Sequence, residues 1–463
     1  MKKYISLFMV TLFLGLFACD NYVDIDPRAN ALAESLEDVD LLLNNGADLN
    51  TLGLGANSIP ALINDNIRIT SNEVDVLKSD QSGLPFAQIY ELETLFYNSS
   101  QNDLVWQTYY NQIGVVNYAL QVLEPLENSQ KKNELTGDAL IHRALSYFKL
   151  VNIYGPHFGL PEADNANSGV PLITVFGDIT VQVPRNTVNE VYEFILNDIN
   201  TAIPLLPQNS PTPSRPNKAA GYGLLAEVLL HTGDYENALL NAEIALSFKS
   251  DLLNYNTELL AGLPENIENK ESIFLKETVV ESFFNSSTFN TVVFGTYSEE
   301  LLAISDVDND LRVSLLLERD FISDNLQLPN FTPLQIGVTV PNLLLIQAEC
   351  LARTGDITAA IDVVNELRAN RFDADFVAEG GHLLTVSNQE NALEQIINER
   401  RREFNVWGRR FFDIKRLNAI ENANISLVRD GVTFAPNSIN WAAPIATNVI
   451  NSSNGQIVQN PRE

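Results

Sequence analysis

Cysteine is nearly absent, with two in 463 residues, and methionine (two), tryptophan (three) and histidine (four) are scarce as well. Two cysteines build no disulfide framework. One of them, Cys19, closes an N-terminal apolar run, so Cys350 has nothing to pair with. Lying in the helical-looking stretch Gln347 to Arg353 among small apolar neighbours, Cys350 reads as a packed core thiol rather than a reactive one. The histidines His142, His157, His231 and His382 include no two at metal-ligand spacing, so no histidine metal centre is indicated. Positive charge is short too, with 29 Lys and Arg against 59 Asp and Glu and a net charge of -30. That balance argues against nucleic acid and anionic lipid as direct partners, because both are held by clustered Lys and Arg, and favours a neutral ligand or another protein. Catalytic motifs are missing: there is no Gly-x-Ser-x-Gly, no His-Glu-x-x-His and no phosphate-binding glycine loop, since Gly53-Leu54-Gly55 lacks a third glycine. Beyond the first residues no long apolar run occurs, so nothing else is suited to span a bilayer.

What is present begins at the N-terminus. Lys2 and Lys3 precede an apolar run that ends in Leu16-Phe17-Ala18-Cys19, the pattern of a secretory signal closed by a lipobox, where the cysteine is acylated and the chain is cut before it. Roughly 15 apolar residues fall short of the ~20 that a spanning helix needs. The expectation is a removed signal peptide over 1–18, a mature protein that begins at lipidated Cys19, and a membrane contact made through the acyl chains alone.

Helical periodicity dominates the rest. Trp106, Tyr109, Tyr110, Ile113, Val116, Leu120 and Leu123 recur at steps of three and four, and Leu140, Ala144, Tyr147, Phe148 and Val151 continue the pattern, which predicts a helical hairpin. Thr187 and Glu190 have capping-box spacing at the head of another helix, which Pro204 and Pro207 stop. Small residues (Ala219, Ala220, Gly223, Ala226, then Ala238, Ala242, Ala245) flank the break Gly233-Asp234-Tyr235, and Gly355-Asp356-Ile357 repeats the device, as in tetratricopeptide-type helix pairs. Between these units, residues 46–100, 155–185, 250–335 and 372–390 are rich in Asn, Ser, Gly, Pro and Thr, with short apolar runs such as Thr291-Val292-Val293-Phe294 that suit small strands.

The segment Arg143-Ala144-Leu145-Ser146-Tyr147-Phe148-Lys149-Leu150-Val151-Asn152-Ile153-Tyr154-Gly155-Pro156 resembles the hallmark of the SusD/RagB outer-membrane nutrient-binding lipoproteins. Trp106 to Asn117, Arg185 to Pro207, Arg215 to Ala245, Asp310-Leu311-Arg312, Leu344 to Arg371, Glu399 to Arg416 and Gln459-Asn460-Pro461 agree in order. The resemblance implies a mainly α, SusD-like helical fold in which tetratricopeptide-type helix pairs support long irregular loops and a few short strands. It also implies one domain over 46–463, preceded by a tether and first helix over 19–45, where length alone suggests about three domains. By function it implies a lid on a SusC-like TonB-dependent transporter that captures oligosaccharide or peptide outside the cell. Two departures stand out: Trp407 occupies a commonly acidic position, and Ala446 and Val449 replace the usual Pro and Glu. A lipid-anchored glycoside hydrolase, whose paired carboxylates lie far apart in a chain, and a structural scaffold of the envelope are the alternatives.

Four groups bear on chemistry. The charged run Glu399-Arg400-Arg401-Arg402-Glu403, with Arg409-Arg410 and Asp413-Ile414-Lys415-Arg416, reads as a solvated or ion-paired helix face, ended by Gly408, rather than an anion site. Asp306, Asp308 and Asp310 open like a calcium loop, but Leu311 and Leu317 stand where that loop needs glycine and glutamate, so a turn with Asp310 and Arg312 paired to the scaffold is the stronger reading and calcium the weaker. Sugar or peptide binding calls for aromatic platforms beside amides and hydroxyls, and Tyr90, Phe96, Tyr97 and Asn98 form the best such cluster, with a plug of core beneath a loop as the competing reading. Phe283, Phe284 and Tyr297 are a second choice, while Trp106, Trp407 and Trp441 fall in scaffold segments.

Overall fold

The computed structural model describes residues 33–52, 58–79, 81–177, 183–259, 267–279, 296–315, 318–319, 326–327, 333–405 and 408–463. Its helices of eight residues or more are α1 (Leu36–Leu43), α2 (Ser71–Lys78), α3 (Leu104–Leu123), α4 (Gln130–Tyr154), α5 (Val188–Ala202), α6 (Lys218–Thr232), α7 (Tyr235–Phe248), α8 (Val340–Thr354), α9 (Ile357–Ala369), α10 (Gln389–Glu403) and α11 (Arg409–Glu421). The fold is mainly α with a few short strands, as the periodicity predicts. None of the described helices is long and apolar enough to cross a membrane.

Local chemistry sets the helix ends. Thr187 and Glu190 form the expected reciprocal capping box at α5, which stops at Ala202 just before the prolines. The α6/α7 and α8/α9 pairs share one turn. Gly233 (φ 79°) and Gly355 (φ 103°) take left-handed backbone, and Asp234 and Asp356 then cap the next helix by accepting the amides of Asn237 and Ala359. Small residues at Ala220, Ala226, Ala238, Ala242 and Ala245 are fully buried between these helices, which lets the backbones approach closely.

The hairpin of α3 and α4 gives the body its long axis. At one end α1 inserts Val39 and Leu43 against Val116, Ala119, Leu123, Leu135 and Ala139, while Asp40 binds Lys131 (2.5 Å) and Arg215 (2.7 Å) and the Ala33 amide donates to Tyr118 Oη. At the other end Asp103, the α3 cap, accepts the hydroxyl of Tyr154 at 2.6 Å. About 20 helical residues separate the two ends, roughly 30 Å.

The charged run is the main departure from expectation. It is ion-paired, but buried rather than solvated: Glu399 (0% exposed), Arg400 (3%), Arg402 (8%) and Arg416 (1%) lie inside the body. Arg400 joins Asp413 (2.9 Å) and the Asn342 side chain, Arg416 joins Asp413 (2.9 Å) and Glu349 (2.7 Å), and Glu349 also holds Arg353 (2.8 Å). Glu227 receives Lys149 and Arg409 in the same interior. A neighbouring set ties Glu399 to Arg312, Arg368 and Arg402, and Glu403 to Arg312 and Arg371. Each charge is buried only because a partner and hydrogen bonds accompany it. Gly408 (φ 75°) caps the start of α11 instead of ending α10.

Short strands decorate this body. Ile67–Arg68, Thr296–Tyr297, Leu326–Gln327 and Glu318–Arg319 form one sheet in that order, and Leu427–Arg429 pairs with Val432–Phe434 in a hairpin turned by Asp430 (φ 45°) and Gly431 (φ 85°). The run Thr291-Val292-Val293-Phe294 lies outside the described residues.

Candidate functional site

Two clefts, of about 510 and 480 Å3, meet between the Ile67–Arg68 strand, the head of α2 and the Leu427–Phe434 hairpin. The first is lined by Arg68, Ile69, Thr70, Ser71, Asn72, Tyr90 and the hairpin residues Val428, Arg429 and Asp430. The second runs from Arg68, Tyr90, Val428 and Arg429 past Asp65, Ser298, Glu299, Glu300 and Ser426. The hairpin projects because Asp430-Gly431 suits the primed turn that matches strand twist, and it leaves Val428 61% exposed on the rim.

Tyr90 forms the floor. Its hydroxyl donates to the Ile69 carbonyl at 3.1 Å and accepts the Ile69 amide at 2.8 Å, so the ring is fixed, and the Arg429 guanidinium lies over that ring at 3.7 Å. Asp65 is pushed up by burial, but Arg410, at 2.7 and 2.8 Å, and Arg401 outweigh this and hold its carboxyl below the usual range. The result is a groove with a stacked, immobile base and walls of hydroxyl, amide and charged groups. Such a surface suits a ligand with many hydroxyls.

The rest of the aromatic cluster is placed differently. Phe96 and Tyr97 are buried like Tyr90 (1%, 4% and 6% exposed) but line neither cleft, with Tyr97 beside Asp103 and the Arg462 guanidinium over Phe96. Asn98 accepts the Ser100 amide and hydroxyl through its own side chain and shapes a local turn. Only Tyr90 of the four lines the groove. Tyr297 is buried, and Phe283 and Phe284 lie outside the described residues. Trp106 and Tyr110, 4.8 Å apart, line a separate apolar cleft of about 290 Å3 with Ile113, Ile173 and Ile457, while Trp441 is buried and Trp407 lies outside the described residues.

The aspartates do not converge. Asp306 accepts the amide and side chain of Asn309, Asp308 is exposed, and Asp310 caps Arg312 and pairs with its guanidinium at 2.7 Å, so two of the three carboxylates are spent on the turn. No group of three or more potential metal ligands occurs among the described residues. Cys350 is fully buried, and burial pushes its thiol up to about 12, as a packed core cysteine requires. Two histidines that are far apart in sequence do meet: His157 and His231 stack at 6.1 Å in the core, and burial drives both well below their usual range.

The comparisons with known proteins bear on the family and the fold. A family model described as "Starch-binding associating with outer membrane" matches residues 34–230, and the model of the SusD family matches residues 341–462. The chain belongs to the SusD/RagB family. "SusD-like protein P38" of Formosa agariphila is 23% identical over 393 residues, covering 69% of this chain and 73% of that protein. "SusD-like protein P2" of the same organism is 30% identical over 143 residues, which is 31% of this chain and 26% of that relative. Among solved structures, a SusD superfamily protein from Bacteroides thetaiotaomicron superposes with a TM-score of 0.73 at 21% identity, covering 92% of this chain and 100% of that one, a likeness of fold. Within this SusD/RagB fold the groove residues Arg68, Val428 and Arg429 escaped the reading of the sequence. One signal was available: Asp-Gly at 430–431 between Leu427-Val428-Arg429 and Val432-Thr433-Phe434 marks a tight hairpin.

Proposed function

We propose that this chain is a cell-surface lipoprotein, held by acylated Cys19 in the outer membrane, that captures oligosaccharide without altering it and delivers it to a SusC-like TonB-dependent transporter. The observation that carries the reading is the double cleft over Tyr90, a fixed aromatic floor with polar walls, on a SusD/RagB scaffold. The description of the matching family model, starch-binding and associated with the outer membrane, supports the ligand class and the location. In this reading the ligand lies over Tyr90 and the Arg429 guanidinium stacked on it, while Phe96 and Tyr97 belong to the core and Asn98 to a local turn.

Calorimetry of the purified chain against oligosaccharide and peptide panels tests the reading. At least one oligosaccharide should bind, and Val428→Trp, which fills the junction of the clefts from an exposed position, should weaken it about tenfold or more. Binding unchanged by that substitution would move the site elsewhere. Free reducing ends released from the panel would favour a hydrolase, and no ligand at all a scaffold. In cells, Cys19→Ala should abolish fatty-acid labelling, and gentle extraction of the normal protein should bring a TonB-dependent barrel with it.

A further inference from the structure

The four residues common to both clefts are Arg68, Tyr90, Val428 and Arg429. Two arginines thus line both clefts, one on the rim and one on the floor, in a chain with 29 cationic residues against 59 acidic ones. The buried arginines of the body are matched: Arg371 holds Glu271 and Glu403, Arg416 holds Glu349 and Asp413, and Arg312 holds Asp310, Glu399 and Glu403. Arg429 is 9% exposed, against 0%, 1% and 3% for these three, and no carboxylate of the described residues lies within ion-pair distance of it. Arg185 also lacks a carboxylate, but five acceptors surround it: the carbonyls of Gly169, Val458, Tyr154 and Ser168 and the side chain of Asn460. Arg429 has three, the carbonyls of Tyr90 (3.3 Å), Asn64 (2.6 Å) and Ile67 (3.5 Å), and its Nε–H has no acceptor among the described residues.

The acidic neighbours do not fill this gap. Asp65 is committed to Arg410 and Arg401, and Glu299 to Arg68 at 3.3 Å in a pair whose side chains are 59% and 85% exposed. Glu300 and Asp430 stand exposed on the rim, where salt screens them within about 8 Å. Burial lowers Arg429 to about 10, because the charges of Asp65 and Asp430 act on it only from beyond ion-pair distance and offset the lost hydration in part.

We propose that the junction of the two clefts is a subsite for an anionic group on the glycan, a carboxylate or a sulfate ester, held by Arg429 from the floor and by Arg68 from the rim. The proposal rests on the groove being the glycan site. The Nη groups of Arg429 are held by the three carbonyls, so its Nε–H is the donor left without an acceptor, and an arriving anion accepts from it and supplies the ion-pair partner that Arg429 lacks. Arg68 is free to turn inward because its exposed pair with Glu299 holds it weakly. A neutral sugar at the same point gains ordinary hydrogen bonds only.

The test is calorimetry with matched pairs: an oligouronate and its carboxyl-reduced form, and a sulfated galactan oligosaccharide and its desulfated form. In one pair at least, the acidic member should bind about tenfold tighter than the neutral one. That ratio should shrink in high salt, fall to about twofold or less in Arg68→Gln and in Arg429→Gln, and be partly kept in Arg429→Lys. The pair that shows the preference tells carboxylate from sulfate. Arg68→Gln changes an exposed side chain, so its result is readable even if Arg429→Gln fails to fold. Equal binding of acidic and neutral members, or a preference that survives both substitutions, overturns the proposal while leaving the groove as a glycan site. If no member of any pair binds, both readings fall.

Discussion

Glu349 and Glu299 are each paired with arginine, and the resemblance stops there. Glu349 is fully buried on α8 and accepts Arg416 at 2.7 Å and Arg353 at 2.8 Å, inside a network that crosses α4, α6, α8, α10 and α11. Glu299 stands on the groove rim, 85% exposed by its side chain, with one contact of 3.3 Å to Arg68. In the body, charge fixes which helices meet, because any other packing would strand ions away from water. At the groove it stays available, because a screened exposed pair is held by little. The chain's acidic composition therefore conceals two populations of charge, one spent on the fold and one left for a ligand.

Removing a partner from the buried population should have the largest effect. Glu349→Ala leaves Arg416 and Arg353 short of a counter-charge, and a loss of about 3–5 kcal/mol is expected in denaturant unfolding. A loss below about 1 kcal/mol would show that water reaches the network, and the contrast with the rim would dissolve.

Asp103 gives the pH dependence of the same interior. Burial raises its carboxyl from the usual 3.8 to about 6, against the pull of Tyr154 and the α3 amides. Between those values the folded chain holds a proton that the unfolded chain has released, so this group's contribution is full below about 3.8 and is lost as pH rises through about 6. Asp103→Asn keeps the cap but removes the titration. Relative to that variant, the normal protein should lose roughly 3 kcal/mol of stability as pH rises through this window, read as the difference between two melting series. Parallel curves would mean that the carboxylate is ionised throughout.

The helix pairs provide a middle case that involves no charge. A Cβ added at Gly355 would meet nothing within 4 Å, so a side chain there costs only its left-handed backbone, φ 103°. Gly355→Val should lower stability by about 1–3 kcal/mol, and Gly355→Asn by clearly less, because asparagine tolerates that region. Equal losses for both would point to a contact rather than the backbone.

These turns were legible in the sequence because their cause is local: glycine followed by a capping aspartate is read within a few residues, as is the Thr187–Glu190 box. The aromatic cluster was not. Whether Tyr90 faces a groove while Phe96 and Tyr97 face the core depends on a hairpin more than 300 residues later, and no periodicity near residue 90 encodes that distance. The charged run falls between these cases. Its tendency to pair is local and was readable, but its burial depends on Glu227, Asn342 and Glu349 from other helices. The SusD/RagB resemblance conveyed the fold because it rests on scaffold segments, and it said little of the groove because the groove is built from what lies between them.

The smallest effect on stability should come from the rim, and it sharpens the comparison most. Glu299→Ala breaks the exposed pair with Arg68, and unfolding should change by about 0.5 kcal/mol or less, within the scatter of surface substitutions. The loss of Glu299 also removes the one carboxylate partner of Arg68 among the described residues, and with it the competitor that an incoming anion must displace. The same substitution that is silent in a denaturant titration should therefore strengthen binding of an acidic oligosaccharide severalfold and leave its neutral counterpart unchanged. Nothing comparable is open to Glu349, whose removal the body does not tolerate quietly. If Glu299→Ala instead destabilised the protein by several kcal/mol, the rim would be part of the structural network, and its arginine would not be free for a ligand.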